Sequence, residues 1–161
     1  MKTVKKILCA ALAAVQAVSM ITISASAEDI DVTTDTIAAG DSHSLVIKSD
    51  LSLWAAGSNA HGQLGAGAQV DSTDGIKVMD NIVAVEANGE TSFAIDSNGT
   101  LYGWGDNTTG QIAPSQQTQY IYTPTKIMDN VVAVSAGEGH AVAVTTDGVA
   151  YGWGSNDQGE L

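Results

Sequence analysis

One stretch of this chain is written twice. Residues 77–85 read Lys-Val-Met-Asp-Asn-Ile-Val-Ala-Val and residues 126–134 read Lys-Ile-Met-Asp-Asn-Val-Val-Ala-Val, an offset of 49, with seven of nine positions identical and the other two exchanging Ile and Val. A second pattern occurs three times: Leu53-Trp54-Ala55-Ala56-Gly57-Ser58-Asn59-Ala60-His61-Gly62-Gln63-Leu64 returns around Gly105, Asn107 and Gly110, and again around Gly154, Asn156 and Gly159. A third precedes each copy of the second: Gly40 with His43, Asn88 with Thr91, and Gly137 with His140. Three collinear motifs at one period mean that one supersecondary unit recurs, and that each copy buries its apolar surface against the next.

The period inside each copy is that of strands. Short runs rich in β-branched residues are followed by Asp50, Asn98-Gly99 or Asp147-Gly148, where hairpin turns need positive φ. The first copy reads as a strand ending at Gly40, a strand over 43–48, a tight turn, a strand over 52–56 and a fourth strand near 76–79. Four short strands in about 49 residues is the size of one propeller blade. Outside the leader no sustained 3.6-residue periodicity competes with it. The expected fold is all-β, with β-propeller blades of four antiparallel strands over 36–84, 85–133 and a truncated 134–161. Together they form an incomplete, open propeller of about three blades, preceded by a short lead over 28–35. Terminal copies of a repeat usually carry a cap, and none is visible at Leu161. The chain is therefore expected to be a fragment of a longer propeller, or else several copies close a ring together by self-association through open blade edges.

The first 27 residues read as a secretory signal: Lys2, Lys5 and Lys6, then an apolar run to about Ile23, then Ala25-Ser26-Ala27. The alternative, a retained anchor, is weakened by Gln16, Ser19, Thr22 and Ser24, because a span needs about 20 mainly apolar residues. The expected location is secreted or cell-surface, with no membrane association after cleavage. Cys9, the only cysteine, falls inside the leader, so the exported part has no thiol chemistry and no disulfide. Charge then becomes one-sided. All 18 acidic residues follow Ala27, against Lys48, Lys77 and Lys126 and no arginine. Such a surface repels polyphosphate, which argues against nucleic acid as a partner. The acidity serves solubility in the first place, and steering of a basic partner is the sharper reading.

The pattern Ala-Gly-x-x-His, a short apolar strand, Asp-Gly and Tyr-Gly-Trp-Gly-x-Asn-x-x-Gly-Gln-Leu resembles the regulator of chromosome condensation repeat family over about residues 36–161. The resemblance implies a β-propeller. Its founding members are nuclear exchange factors for a small GTPase. Others resemble general protein-binding platforms, including secreted bacterial proteins that inhibit β-lactamases. This chain departs from the pattern at Asn88 and Thr91, which stand where the other copies have Gly and His.

The chemistry-bearing residues mostly have structural roles in this reading. Gly40, Gly57, Gly62, Gly105, Gly110, Gly137, Gly154 and Gly159 serve turns and close backbone approach rather than a phosphate loop. Gly103-Trp104-Gly105 lacks the third glycine and a following helix. His43 and His140 occupy equivalent positions on successive blades, so they are structural histidines and not one metal site. His61 stands alone in a turn and is expected to be exposed. Asn59, Asn107 and Asn156 suit turns by bonding local backbone and by tolerating left-handed geometry. Trp104 and Trp153, equivalent to Ala56, are expected in the core. No catalytic pair, metal set or cofactor motif stands out, and Asp29 with Asp31 matches a calcium loop only faintly. The connections 66–75 and 113–124 share no pattern, and variable connections on a repeated frame often form the binding face. Tyr120 and Tyr122 are the candidate partner anchors, against the plainer reading of an alternating strand. The expected function is a secreted, non-catalytic protein-interaction module. The other readings are an inhibitor of a secreted enzyme, an exchange factor as in the nuclear members, and an inactive fragment.

Overall fold

The computed structural model describes residues 36–113, 115 and 118–161. They lie in one compact unit, Thr33–Leu161. The expected signal over 1–27, the expected lead with Asp29 and Asp31, and Pro114 lie outside the described residues. The strands are β1 (Ile37–Ala39), β2 (His43–Ile47), β3 (Leu53–Gly57), β4 (Ser72–Met79), β5 (Ile82–Asn88), β6 (Thr91–Asp96), β7 (Leu101–Asp106), β8 (Tyr120–Met128), β9 (Val131–Ala136), β10 (His140–Thr145) and β11 (Ala150–Gly154). They form three antiparallel sheets, ordered β1-β2-β3-β4, β5-β6-β7-β8 and β9-β10-β11. The all-β reading and the four-stranded blade therefore hold, and the described part is an open arc of three sheets.

Each sheet alternates its side chains, and the alternation assigns one face to each neighbour. In the first sheet Leu45, Ile47, Leu53 and Ala55 are buried, while Val46 between them is 41% exposed. In the second, β6 is buried along Thr91–Ile95 on both faces, because a sheet lies on either side of it. In the third, Ala141 and Ala143 are buried and Val142 and Val144 are not. The core is thus two sheet-on-sheet joints, with Trp104 and Phe93 as its largest fully buried side chains.

Hydrogen bonds lock the joints at both strand ends. At one end the amide of Asp41 donates to Gly89 O (2.9 Å); at the other Ile82 N donates to Leu51 O (3.0 Å) and Val131 N to Gly99 O (2.8 Å). The sheets change over at Asp80-Asn81 and Asp129-Asn130. These points lie a few residues ahead of the boundaries 84/85 and 133/134 drawn from the repeats, which fall inside β5 and β9.

Two expectations need correcting. The fourth strand is longer than 76–79: β4 starts at Ser72 and β8 at Tyr120, so the connections 66–75 and 113–124 end as strand. Pairing begins as early as Gly57↔Ser72 and Asp106↔Tyr120, with irregular register absorbing the offset. The second correction concerns asparagine. Asn59, Asn107 and Asn156 are not left-handed; the non-glycine residues with positive φ are Leu51 (61°), Asn81 (60°) and Asn130 (62°). Asn81 and Asn130 make the tight sheet-to-sheet turns. Leu51 occupies the hairpin position that Gly99 (78°) and Gly148 (82°) take in the other copies.

Candidate functional site

Two places bring the singled-out residues together: the joint between sheets, and the end of the arc where the long connections lie.

The joint is built on glycine. At Gly57, Gly105 and Gly154 an added Cβ would stand 2.2–2.5 Å from the carbonyl oxygens of Ser42, Glu90 and Gly139, and all three have positive φ. At Gly40 a Cβ would meet the His43 ring at 2.3 Å, and at Gly137 the His140 ring at the same distance. Glycine at the first position therefore makes room for histidine at the fourth. In the second copy both change together: Asn88 replaces the glycine, Thr91 replaces the histidine, and the Asn88 amide donates to Ala136 O (3.1 Å).

His43 lies almost fully buried, 2.7 Å through Nε2 from Ser92 Oγ on the second sheet. Ser92 Oγ in turn donates to Gln63 O (2.8 Å), and the Trp104 indole donates to the same carbonyl (2.9 Å). Since Ser92 gives its proton to Gln63, it accepts from His43, which assigns the proton of the neutral ring to Nε2. Nδ1 is left buried and without a hydrogen-bond partner among the described residues. Burial pushes the His43 pKa below its ordinary value, with Glu90 and Asp41 opposing. The second joint repeats the indole bond, Trp153 to Gln111 O (2.7 Å), but replaces the polar pair by Thr91 and Ala141. His43 is a structural histidine in this arrangement, and Trp104 and Trp153 are buried as expected.

The repeated asparagines each clamp their own loop. Asn59 Oδ1 accepts from Leu64 N (3.0 Å), Asn107 Oδ1 from Ile112 N (3.0 Å) and Ala113 N (2.9 Å), and Asn156 Oδ1 from Leu161 N (3.0 Å). The Asn59 amide also donates to Ala68 O, and that of Asn107 to Thr118 O (2.9 Å).

The clamped loops form the second place. His61 is half-buried rather than exposed, because Tyr120 of the neighbouring sheet packs on it with ring centroids 4.7 Å apart. Its Nδ1 lies 3.6 Å from Glu90 Oε2. Glu90 also accepts from Ser42 Oγ (3.1 Å) and from the Gln63 amide. Tyr122 packs against Gly62, and its hydroxyl accepts from Gln69 Nε2 (2.8 Å), which also donates to Ala60 O (3.0 Å). Tyr120 and Tyr122 therefore sit two apart on β8, both half-buried, and tie the 58–71 connection of the first sheet to the second. Sequence reading singled out the tyrosines and placed His61 alone in a turn, but it did not single out Glu90 and Gln69, whose contacts depend on the neighbouring sheet.

Strand direction also sorts the charges. The β1–β2 and β3–β4 connections and their equivalents share one end, which carries Asp41, Asp71, Glu90, Asp106, Glu138 and Glu160 and no lysine among the described residues. The other end carries Lys48 on the Trp54 ring (3.3 Å), Lys77 paired with Asp80 and Lys126 with Asp129 (both 2.7 Å), together with Asp50, Asp96 and Asp147 in its hairpin turns. Among the described residues the carboxyls displaced from their ordinary pKa are displaced downward: Asp50 by the Ser52 hydroxyl, Asp129 by Lys126, Asp147 by the Thr145 hydroxyl, and Glu160 by backbone N–H groups. A carboxyl held low is not poised as a general acid near neutral pH. Among the described residues no three His, Asp or Glu side chains gather where a metal ion could bind.

Known proteins match on the same frame. The regulator of chromosome condensation repeat model matches residues 35–63, 82–111 and 131–160. The human probable E3 ubiquitin-protein ligase HERC6 is 37% identical over 84 residues, which is 49% of this chain and 8% of that protein. The ultraviolet-B receptor UVR8 of Arabidopsis thaliana is 34% identical over 89 residues, 53% of this chain and 20% of the receptor. The chain thus spans a small part of the curated relatives that it matches. Among solved structures, yeast RCC1 (Prp20) bound to Kap60 superposes with TM-score 0.66 at 25% identity, over 74% of this chain and 32% of that one. Human WBSCR16 gives TM-score 0.68 at 23% identity, over 73% and 32%. On the three matched stretches and the sheets that they build, the chain belongs to the regulator of chromosome condensation repeat family.

Proposed function

We propose that this chain is an exported, non-catalytic protein-interaction module that receives a basic protein surface on its loop end. The observation that carries the reading is the cross-bracing of that end. Tyr120 and Tyr122, His61, Glu90 and Gln69 fix the connections of two sheets to each other, so little ordering remains to be done when a partner arrives. The same end carries only acidic charge, which favours a partner rich in Lys and Arg and speeds its encounter. Nucleic acid is disfavoured for the same electrostatic reason. Relatives support the general type: the structure of yeast Prp20 is a complex with Kap60, and a second study of Prp20p describes binding to Gsp1p and histones. Export rests on the leader over 1–27, and the non-catalytic reading on a sequence in which no catalytic pair or cofactor motif stands out.

The test uses calorimetric titration of the purified chain with a lysine- and arginine-rich peptide and with a glutamate-rich peptide of equal length. Binding of the basic peptide alone, weakening steeply between low and high salt, is the expected result. Loss of about tenfold affinity on Tyr120→Ser with Tyr122→Ser would assign the anchors, since aromatic residues are enriched among interface hot spots. Equal response to both peptides would overturn the reading.

A further inference from the structure

The chain has seven asparagines, and two of them precede glycine: Asn88-Gly89 and Asn98-Gly99. An asparagine side chain closes on the main-chain nitrogen of the next residue only where that nitrogen is unhindered, and glycine, with no Cβ, leaves it most open. Asn81 and Asn130 precede Ile82 and Val131, whose branched side chains crowd the approach. Asn59, Asn107 and Asn156 are occupied in clamping their loops through their carboxamides. The structure treats the two Asn-Gly pairs differently. Asn88 is half-buried, and its carboxamide donates to Ala136 O of the third sheet (3.1 Å). Asn98 stands exposed at the tip of the β6–β7 hairpin, and its carboxamide makes no hydrogen bond among the described residues.

Turn bonds hold the Asn98 tip. Asp96 Oδ1 accepts from Asn98 N (2.9 Å) and Thr100 N (2.8 Å), and the Gly99 amide donates to Asp96 O (2.9 Å). These must release before the Gly99 nitrogen can turn toward Asn98 Cγ, and hairpin tips open locally far more often than a sheet unfolds. The tip also reaches its neighbours. Gly99 O accepts from Val131 N of the third sheet (2.8 Å), and Ser97 N donates to Asn81 O in the turn that joins the first and second sheets (2.8 Å).

We propose that Asn98 is a site of spontaneous deamidation, with water as the co-reactant, and that its isoaspartyl product loosens the joint between the second and third sheets. The Gly99 nitrogen gives its proton to solvent and bonds to Asn98 Cγ. The Cγ–Nδ2 bond breaks, and Nδ2 takes up a proton from solvent and leaves as ammonia. The cyclic imide then adds one water, and nothing is oxidised or reduced. Cleavage between Cγ and the Gly99 nitrogen gives ordinary aspartate. Cleavage between the Asn98 main-chain carbonyl carbon and that nitrogen gives isoaspartate, in which the chain runs through the side chain and is longer by one methylene. The frame takes the two products differently. Asp50 and Asp147 occupy the same hairpin position in the first and third sheets, so ordinary aspartate at 98 is a residue the repeat already carries. Isoaspartate shifts the carbonyl that Val131 N bonds.

The experiment keeps the full chain folded in neutral buffer at physiological temperature and follows it by intact mass, peptide mapping and an isoaspartyl-specific methyltransferase. Asn98 should convert ahead of Asn88 by at least about tenfold, the worth of the bond from Asn88 to Ala136 O. In urea the two should convert at similar rates, which ties the contrast to the fold. Asn98→Gln should abolish the methyltransferase signal of the folded chain. Chains carrying isoaspartate should unfold at lower urea than fresh chains, and Asn98→Asp should unfold with the fresh chains. The proposal is overturned if Asn88 converts as fast as Asn98 in the folded chain, or if Asn98 stays intact there while the urea-unfolded chain converts. It is overturned as well if isoaspartyl chains keep the fresh midpoint, or if Asn98→Asp is destabilised as much as they are. None of these outcomes bears on the acidic loop end, because this hairpin lies at the opposite end of the strands.

Discussion

At the scale of single residues the joints work by substitution in sets. Gly40 and His43 need each other because the ring fills the space a Cβ would take, and Ser92 is needed to receive the ring nitrogen. Asn88, Thr91 and Ala141 form the alternative set, with an amide-to-carbonyl bond in place of the imidazole bridge. Two of these six residues looked like departures from the repeat when read along the chain; across the joint they are mutually consistent. The protonation of His43 has a thermodynamic consequence. Its folded pKa lies below the ordinary value of 6.5, so the unfolded chain takes up the proton first. The stability that this group contributes is complete above 6.5 and is lost as pH falls through and below that value. Tm should fall between pH 7.5 and 5.5 by more in the native chain than in His43→Gln, measured by calorimetry at constant ionic strength. Relief of the general acidic repulsion works in the opposite direction but equally in both, so the difference isolates the imidazole.

At the scale of the strand and its turn, what decides the outcome is whether a backbone position is crowded as well as left-handed. Gly148 has φ of 82° with nothing within 4 Å of an added Cβ, while Gly105 has φ of 101° and the Glu90 carbonyl oxygen at 2.2 Å. Gly148→Ala should therefore cost only the conformational strain, about 1–2 kcal/mol. Gly105→Ala should cost more by about 2 kcal/mol, since the second sheet must open to admit the methyl group. Urea unfolding of the two variants compares them directly. Element boundaries were readable where turns carried glycine or asparagine at fixed offsets, and β2, β3, β6 and β7 fall where the repeats put them. The starts of β4 and β8 were not. Ser72-Thr73-Asp74-Gly75 has little intrinsic strand preference, and it is held extended by pairing with β3. Asn59 was legible as a turn residue that bonds local backbone and tolerates left-handed geometry. The structure uses that side chain as a clamp and gives the left-handed role to Asn81 and Asn130.

At the scale of the whole molecule, the arc is as cooperative as its joints. Trp104 is fully buried and bonds a carbonyl of the preceding sheet, so it belongs to two sheets at once. Trp104→Ala should cost about 3–5 kcal/mol. It should also broaden the urea transition, because the first sheet loses its hold on the second, and fluorescence of the remaining indoles would follow this. The blade architecture was legible from a period of 49 and its strand alternation. The loop-end cluster was legible only in part. Tyr120 and Tyr122 stand out as aromatic residues in a variable stretch, but His61 meets Tyr120, and Glu90 meets His61, only once two sheets stack, relations spanning 59 and 29 positions that no local pattern encodes.

The sorting of charge between the two ends has a further consequence. With all three lysines of the described residues at one end and unrelieved carboxylates at the other, the arc carries a dipole moment along its strands. In a field from a charged body within the screening distance, about 8–10 Å at physiological salt, the molecule experiences a torque before it makes any contact. A cationic body is met by the braced loops, so orientation precedes recognition.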